Sequence, residues 1–294
     1  MDLRQLRAFV AIARQRNFTR AAEQLHIAQP AVSMTIRKLE EELELSLFNR
    51  QDKRVSLTAE GEAFLRHAEK ILDGCETAES EMADLRGLSR GEVSIGIPPM
   101  MSTYYFPRVI REFCERYPGL RVSVHGAGTT RIERMIARGE IDMGVIAAEN
   151  VAGGLASRLV LREEVVIAVP AGHPLAGRDG VSMDEFLRQP LILFQEGYQM
   201  RELTDEAIRN SGREPRVVFE TNLFSLARSV IKEGLGISTF LRMVLAEDAQ
   251  LAAVSFDPPL YLDLHLAWKA DGYLSRANRA FLDFLLERVA TRQQ

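Results

Sequence analysis

The chain has 294 residues, 46% of them hydrophobic and 27% charged, with a net charge of -4. That length suggests about two domains, and the balance of apolar and charged residues excludes a disordered or fibrous polypeptide. No apolar run reaches the roughly 18 residues that span a bilayer, and the start, MDLRQLRAFV, lacks the form of a signal peptide, so no membrane partner and a cytoplasmic location are expected.

The charge is unevenly spread. From Met1 to Lys38, seven basic residues (Arg4, Arg7, Arg14, Arg16, Arg20, Arg37 and Lys38) face only Asp2 and Glu23, a surplus of five positive charges, so the remainder carries nine net negative ones. A basic end on an acidic body meets an anion at that end alone. Within it, Leu3, Leu6, Phe9, Val10 and Ala13 recur at helical spacing and mark the core stripe of a first helix. Asn17-Phe18-Thr19 breaks that helix, and Thr19 can cap a second one running to about Leu25, whose Ala21 and Ala22 permit close approach of a neighbour. His26 and Ile27 make a turn. Pro30 then opens a third helix, because proline in a first turn gives up an N–H that would lack a partner there anyway. At about 100° per residue, Val32, Ile36, Leu39 and Leu43 face the core, while Pro30, Ser33, Met34, Arg37 and Lys38 point outward. Short side chains followed by cations suit a helix lying in the major groove of double-stranded DNA.

After Leu43, the segment RQDKRVSL reads as a hairpin with Arg50, Lys53 and Arg54 around its tip, between short strands ending at Phe48 and Leu57. A basic hairpin beside such a helix is a wing that contacts the DNA backbone or minor groove. The words LRAFVAIARQRNFTRAAEQLHIAQPAVSMTIRKLEEEL and LFNRQDKRVSLTAEG, with AGHPLA and KEGLGIS further on, resemble the LysR-type transcriptional regulators over essentially the whole chain. The resemblance implies a winged helix-turn-helix, a long linker helix and a two-lobed effector domain similar to periplasmic solute receptors of type 2. It also implies that Gln29, Pro30, Ser33 and Arg37 face the groove and that Arg50 and Arg54 lie on the backbone. Two positions depart from the family pattern. Ala28 stands where a capping serine or threonine is common, which removes about 1 kcal/mol of capping. Met34 replaces a polar or cationic residue, and apolar contact with a thymine methyl is the expected substitute.

Thr58 can cap a helix that runs to about Gly87. Along it Phe64, Ala68, Ile71, Cys75, Ala78, Met82 and Leu85 alternate four and three apart, a heptad stripe that asks for a second helix. Pairing makes a homodimer that presents two recognition helices to dyad-related operator half-sites, and pairing of dimers gives the homotetramer expected of the assembly. Packing of the stripe on its own body is the alternative. The three segments are therefore 1–58, 59–89 and 90–294.

From Gly91 the pattern alternates strands (EVSIGI, LRVSVHG, IDMGVI, EEVVIAVP, LILF, RVVFET, GIS, LYLDLHLAW) with amphipathic helices, so an α/β class with largely parallel sheets is expected. By the family layout, residues of about 91–161 and 264–294 form one lobe and 162–263 the other. Ligands of open parallel sheets lie beyond the carboxyl ends of the strands. There stand Met100, Met101, Ser102 and Thr103 after the first strand, Thr129 and Thr130 after the second and Gln195 after LILF, with Asn222 after RVVFET and Phe240 weaker candidates. The hydroxyls can cap the following helices and also touch a ligand, and the N–H groups and partial positive charge of helix N-termini favour a small carboxylate or similar anion as effector. Met100, Met101 and Phe194 add an apolar wall, and Arg131 and Arg201 are the nearest cations.

Enzymatic, cofactor and metal chemistry find no support. GAGTTR lacks the third glycine of a dinucleotide fingerprint, there is no GxSxG elbow or HExxH pair, and His26, His67, His125, His173 and His265 are scattered. Two cysteines, Cys75 and Cys114, build neither a disulfide framework nor a thiolate zinc site, and helix packing accounts for both. A sensor that binds a solute without DNA, using its first helices only to dimerise, is the rival reading. The two differ at the wing: Arg54→Ala is expected to weaken binding to every duplex and flatten its salt dependence, measured by titrating DNA at several salt concentrations, whereas unchanged affinity and slope would remove the wing from the interface.

Overall fold

The computed structural model of the chain describes residues 1–49, 55–84, 91–147, 153–212, 214–246 and 248–292, which divide into two compact units, Met1–Leu85 and Arg86–Gln294. The hairpin tip with Arg50, Lys53 and Arg54 lies outside the described residues, as does Leu85.

The first unit begins with α1 (Leu3–Gln15), closed at its start by a capping box in which Asp2 accepts from the Gln5 backbone at 2.8 Å and Gln5 returns the bond at 2.7 Å. Its core stripe is Leu6, Phe9, Val10 and Ile12, whereas Leu3, the first helical residue, lies beyond the packed helices and is exposed. α2 (Phe18–Gln24) is capped by Asn17, not Thr19: the Asn17 amide oxygen accepts from the backbone of Thr19 and Arg20, the geometry a residue one position before the helix can reach. Ala21 and Ala22 are buried where α2 meets its neighbours. α3 (Gln29–Leu43) has Pro30 in its first turn as expected, buries Val32, Ile36 and Leu39, and has Ala28 before it with no side-chain cap.

β1 (Phe48–Asn49) and β2 (Ser56–Leu57) pair antiparallel, forming the base of the hairpin. A carboxylate oxygen of Glu40 accepts from the backbone of Leu47 and Phe48, which ties this hairpin to α3. α4 (Ala59–Asp84) is capped by Thr58, whose hydroxyl accepts from the Gly61 N–H at 2.9 Å. Phe9 holds the unit together, its ring 5.2 Å from Phe48 and 5.0 Å from Phe64. The heptad stripe on α4 divides accordingly. Phe64 and Ala68 pack into this core, while Ile71, Ala78 and Met82 are exposed.

The second unit has a six-stranded mixed sheet in the order β4-β3-β5-β10-β6-β9. Its strands are β3 (Gly91–Ile97), β4 (Leu120–Gly126), β5 (Met143–Ala147), β6 (Leu155–Pro170), β9 (Ser238–Leu241) and β10 (Leu251–Lys269), and a two-stranded parallel sheet, β7 (Leu191–Phe194) and β8 (Val217–Thr221), is joined to the start of β9 by a parallel bridge between Leu191 and Ile237. Three parallel strands start the sheet, but β10, β6 and β9 join it antiparallel, so the expectation of largely parallel sheets holds only for its first part and for β7 and β8. β6 and β10 are each far longer than the runs EEVVIAVP and LYLDLHLAW. The residues that extend β6, LASRLVLR, are half polar and read as a connection, yet they pair with Leu264–Lys269 along β10. One continuous ribbon therefore runs through both lobes.

The covering helices are α5 (Pro99–Tyr104), α6 (Phe106–Arg116), α7 (Thr129–Ala137), α8 (Met183–Leu187), α9 (Gln199–Ser211), α10 (Phe224–Lys232) and α11 (Arg276–Arg292). α6 and α11 meet through Phe113 and Phe281, both fully buried with rings 4.8 Å apart. Cys114 on the same helix is exposed, so packing does not account for it, while Cys75 is half-buried.

Gly61 permits α4 to cross the hairpin base: a Cβ there would stand 2.1 Å from the Leu47 carbonyl oxygen. At Gly74, in the same helix, nothing lies within 4 Å. A melting experiment should separate the two. Gly61→Ala is expected to lower stability by about 2 kcal/mol, the backbone clash outweighing the gain in helix propensity, and Gly74→Ala to raise it by up to about 1 kcal/mol. Equal shifts of one sign would show that Gly61 is not a steric contact.

Candidate functional site

In the first unit, α3 carries the outward face expected of it. Gln29, Pro30, Met34, Arg37 and Lys38 are exposed and Ser33 is half-buried. Gln29 donates from its amide to the Ser33 hydroxyl at 3.0 Å, one helical turn on, and the pair fixes one edge of the face. Arg37 donates to Glu41 at 2.9 Å, but both side chains are well over half exposed, so this pair contributes a few tenths of a kcal/mol and can exchange for a phosphate.

In the second unit, a cleft with about 510 Å³ of empty space opens where several helices begin. Pro98 to Met101 enter it with α5, Gly128 and Thr129 with α7, Tyr198 to Met200 with α9, and Asn222 and Phe224 with α10, while Phe194, Leu241, Leu262 and Leu264 supply strand residues. None of these lining residues is charged. Met100, Met101 and Phe194 form the expected apolar wall, and Thr129 and Asn222 are the other sequence-predicted residues that reach the cleft.

Ser102, Thr103, Thr130 and Gln195 do not line it. Ser102 and Thr103 lie inside α5, not before it, and their hydroxyls donate to the Pro99 carbonyl. Thr130 donates instead to Glu202 at 2.8 Å, and Gln195 is exposed on the loop ahead of α9. No threonine caps α7, because Gly128 occupies the cap position. Arg201 is committed to Asp205, Glu220 and the Phe194 carbonyl, and Arg131 is exposed.

Three helices of nine or more residues thus start at the cleft without a side-chain cap: α7 after Gly128, α9 after Tyr198 and α10 after Leu223. Their leading N–H groups have no intrahelical acceptor, and each start carries about half a positive charge. Thr129, 6% exposed, directs into this uncharged space a hydroxyl with no hydrogen-bond partner. Gly128 permits the approach of α7 to the loop before α9, since a Cβ there would stand 2.2 Å from the Gly197 carbonyl oxygen. Tyr198, Gln199 and Met200 escaped the sequence reading because Gly197, at φ +86°, turns the chain before α9 begins; the glycine in QEGYQ is the signal that the site lies beyond it. Leu262 and Leu264 gave no signal beyond ordinary strand alternation.

Two contacts close the rims of the cleft. On one side is the Thr130–Glu202 hydrogen bond; burial first, and then the Glu202 charge, hold the nearby Glu133 carboxyl above its usual pKa. On the other side Arg228 donates to the Tyr104 hydroxyl, and the Tyr104 and Phe224 rings meet edge to face. Arg228 is anchored by Asp248 at 3.0 Å, which also binds Lys232 at 2.9 Å. Among the described residues no group of His, Cys, Asp and Glu could hold a metal ion, and no helix is long and apolar enough to cross a membrane.

A family model of the LysR substrate binding domain matches residues 86–290, and one of bacterial regulatory helix-turn-helix proteins of the lysR family matches residues 3–62. An uncharacterized HTH-type transcriptional regulator of Bacillus subtilis, YcgK, is 31% identical, with 98% of this chain and 95% of the relative covered. Full-length OxyR from Pseudomonas aeruginosa superimposes with a TM-score of 0.71 at 23% identity, covering 98% of this chain and 94% of that one. CbnR in complex with its target DNA gives 0.66 at 21% identity, covering 98% and 100%.

The Asp248 cluster sets a pH dependence. Burial pushes its carboxyl up, but the hydrogen bonds from Lys232 and the Gln250 backbone and the charge of Arg228 outweigh that, so its pKa lies below the usual carboxylate value. Its stabilisation is therefore complete above the unfolded carboxylate range and is lost as pH falls through the lower folded value. Asp248→Asn is expected to cost about 2 kcal/mol at pH 7 and progressively less as pH falls below the usual carboxylate range, read as converging melting temperatures; a gap that stays constant into acid would contradict the ion pairs.

Proposed function

Since the chain belongs to the LysR family of bacterial helix-turn-helix transcriptional regulators, we propose that it reads operator DNA through the outward face of α3 and is switched by a small molecule with an apolar body and one carboxylate. The family is one of DNA-binding regulators with an effector-binding domain, not of enzymes. The observation that carries the effector's chemistry is the convergence of three uncapped helix starts and the unpartnered Thr129 hydroxyl on an uncharged cleft. A carboxylate there accepts from backbone N–H groups and from Thr129 without a counter-ion, and Met100, Met101 and Phe194 cover the apolar body. Asn222 is the further polar contact.

On the DNA side, Gln29, Pro30, Ser33 and Met34 face base edges, Arg37 and Lys38 reach phosphates, and Arg50, Lys53 and Arg54 hold the backbone from the wing. Duplex DNA with dyad-related half-sites requires two such faces. The exposed Ile71, Ala78 and Met82 on α4 support pairing of two copies into a homodimer, and dimers pair in turn into a homotetramer. An effector moves the equilibrium between two arrangements of these copies by its differential affinity for them, and by no more than that.

Footprinting of the full chain on DNA upstream of its own gene, with and without a panel of small aliphatic and aromatic carboxylates, tests this reading. Protection of dyad-related segments is expected, with a boundary that shifts on adding one carboxylate. In Thr129→Val the footprint should stay, while about tenfold more of that carboxylate is needed to shift it, the value of one hydrogen bond to a charged group. A footprint that ignores every carboxylate and answers to a cationic or neutral compound would overturn the assignment of the ligand.

A further inference from the structure

Apart from the terminal Met1, the most exposed large apolar side chain among the described residues is Met34, at 61%. It lies in the second turn of α3, with Pro30 a turn before it, Ser33 its immediate neighbour and Arg37 and Lys38 a turn after. A single exposed apolar residue is ordinary on a protein surface. Its company here is not. Along the same face, Gln29 donates to Ser33 at 3.0 Å, Thr35 to the Ala31 carbonyl at 2.8 Å and Arg37 to Glu41 at 2.9 Å. The polar groups beside Met34 thus hold partners within the helix, while its flexible, polarisable thioether chain stands in water without apolar cover.

The major groove offers one apolar feature at the base edges, the C5-methyl group of thymine; every other group there is a donor or an acceptor. We propose that Met34 reads a pyrimidine C5-methyl group in each half-site, so that this position of α3 discriminates by burying a methyl group and not by hydrogen bonding. The proposal rests on the reading of α3 as the DNA-facing helix. It has a consequence that hydrogen-bond readout lacks: the contact is blind to whether the methyl belongs to thymine or to 5-methylcytosine. Removing the methyl costs about fourfold in affinity per half-site, and roughly fifteenfold for a dyad-related pair.

The test begins with selection of duplexes from a random pool by the full chain, followed by titration of a selected duplex in which thymines are replaced one at a time by deoxyuridine. At one position per half-site, deoxyuridine is expected to weaken binding about fourfold. At that position cytosine in place of thymine should bind worse still, and 5-methylcytosine should recover about fourfold over cytosine. Met34→Ala, whose melting temperature should match the parent because the side chain is exposed, is expected to bind the thymine and deoxyuridine duplexes equally. If no position distinguishes thymine from deoxyuridine, or if the distinction survives in Met34→Ala, the proposal is overturned. Failure to select any duplex would instead overturn the DNA-facing role of α3 and this inference with it.

Discussion

A helix begins with backbone N–H groups that the helix itself cannot satisfy, and what the chain does with them organises this molecule. At α1, α2, α4 and α8 the side chains of Asp2, Asn17, Thr58 and Ser182 take them up. Besides α5 and α6, which follow one another and carry proline in their first turns, the helices at which no side chain does so are α3, α7, α9 and α10. The first of these opens the basic face of the helix-turn-helix, and the other three open the cleft of the second unit. Capping by a serine, threonine or aspartate is worth about 1 kcal/mol, so leaving four starts uncapped costs several. On the proposed reading, a carboxylate arriving at the cleft offsets that cost there, which makes the unused donors a binding resource.

The second constraint is the long antiparallel pairing of β6 with β10. It runs from Leu251 with Pro170 to Lys269 with Leu155, interrupted by irregularities between Ser255 and Leu260 and between Leu264 and His265. A ribbon shared by both lobes keeps them in register while its irregularities permit bending. Leu262 and Leu264, between those two points, form part of the cleft floor. Contacts at the rims join Thr130 to Glu202 on one side and Tyr104 to Arg228 and Phe224 on the other. On the proposed reading, an effector held by donors from both sides of the cleft favours its closed arrangement by its differential affinity for that state.

Much of this was legible from the residues. The core stripe of α3, the proline at its start and the missing cap at Ala28 follow from periodicity and from the chemistry of proline, which tertiary context did not alter. The strand ends that carry the cleft were found for the same reason, since hydrophobic runs bounded by glycine or proline fix where strands stop. The failures are local and physical. Asn17 outcompeted Thr19 for the cap because the side chain that caps a helix must precede it, and Ser102 and Thr103 spend their hydroxyls on the Pro99 carbonyl because α5 begins at Pro99, ahead of both. The polar first half of β6 is held as strand only by its partner β10, a long-range pairing that no local pattern reveals. The family resemblance supplied the two-lobed layout, which periodicity alone leaves open.

The central claim is that uncapped helix starts receive a carboxylate. Amide hydrogen exchange of the full chain, with and without a small carboxylate that raises its melting temperature, tests it most directly. The account expects slowed exchange at the first-turn amides of α7, α9 and α10, near Thr130, Met200 and Ser225, and no slowing with the matching uncharged primary amide. Protection confined to other segments, or equal protection by the acid and the amide, would contradict it.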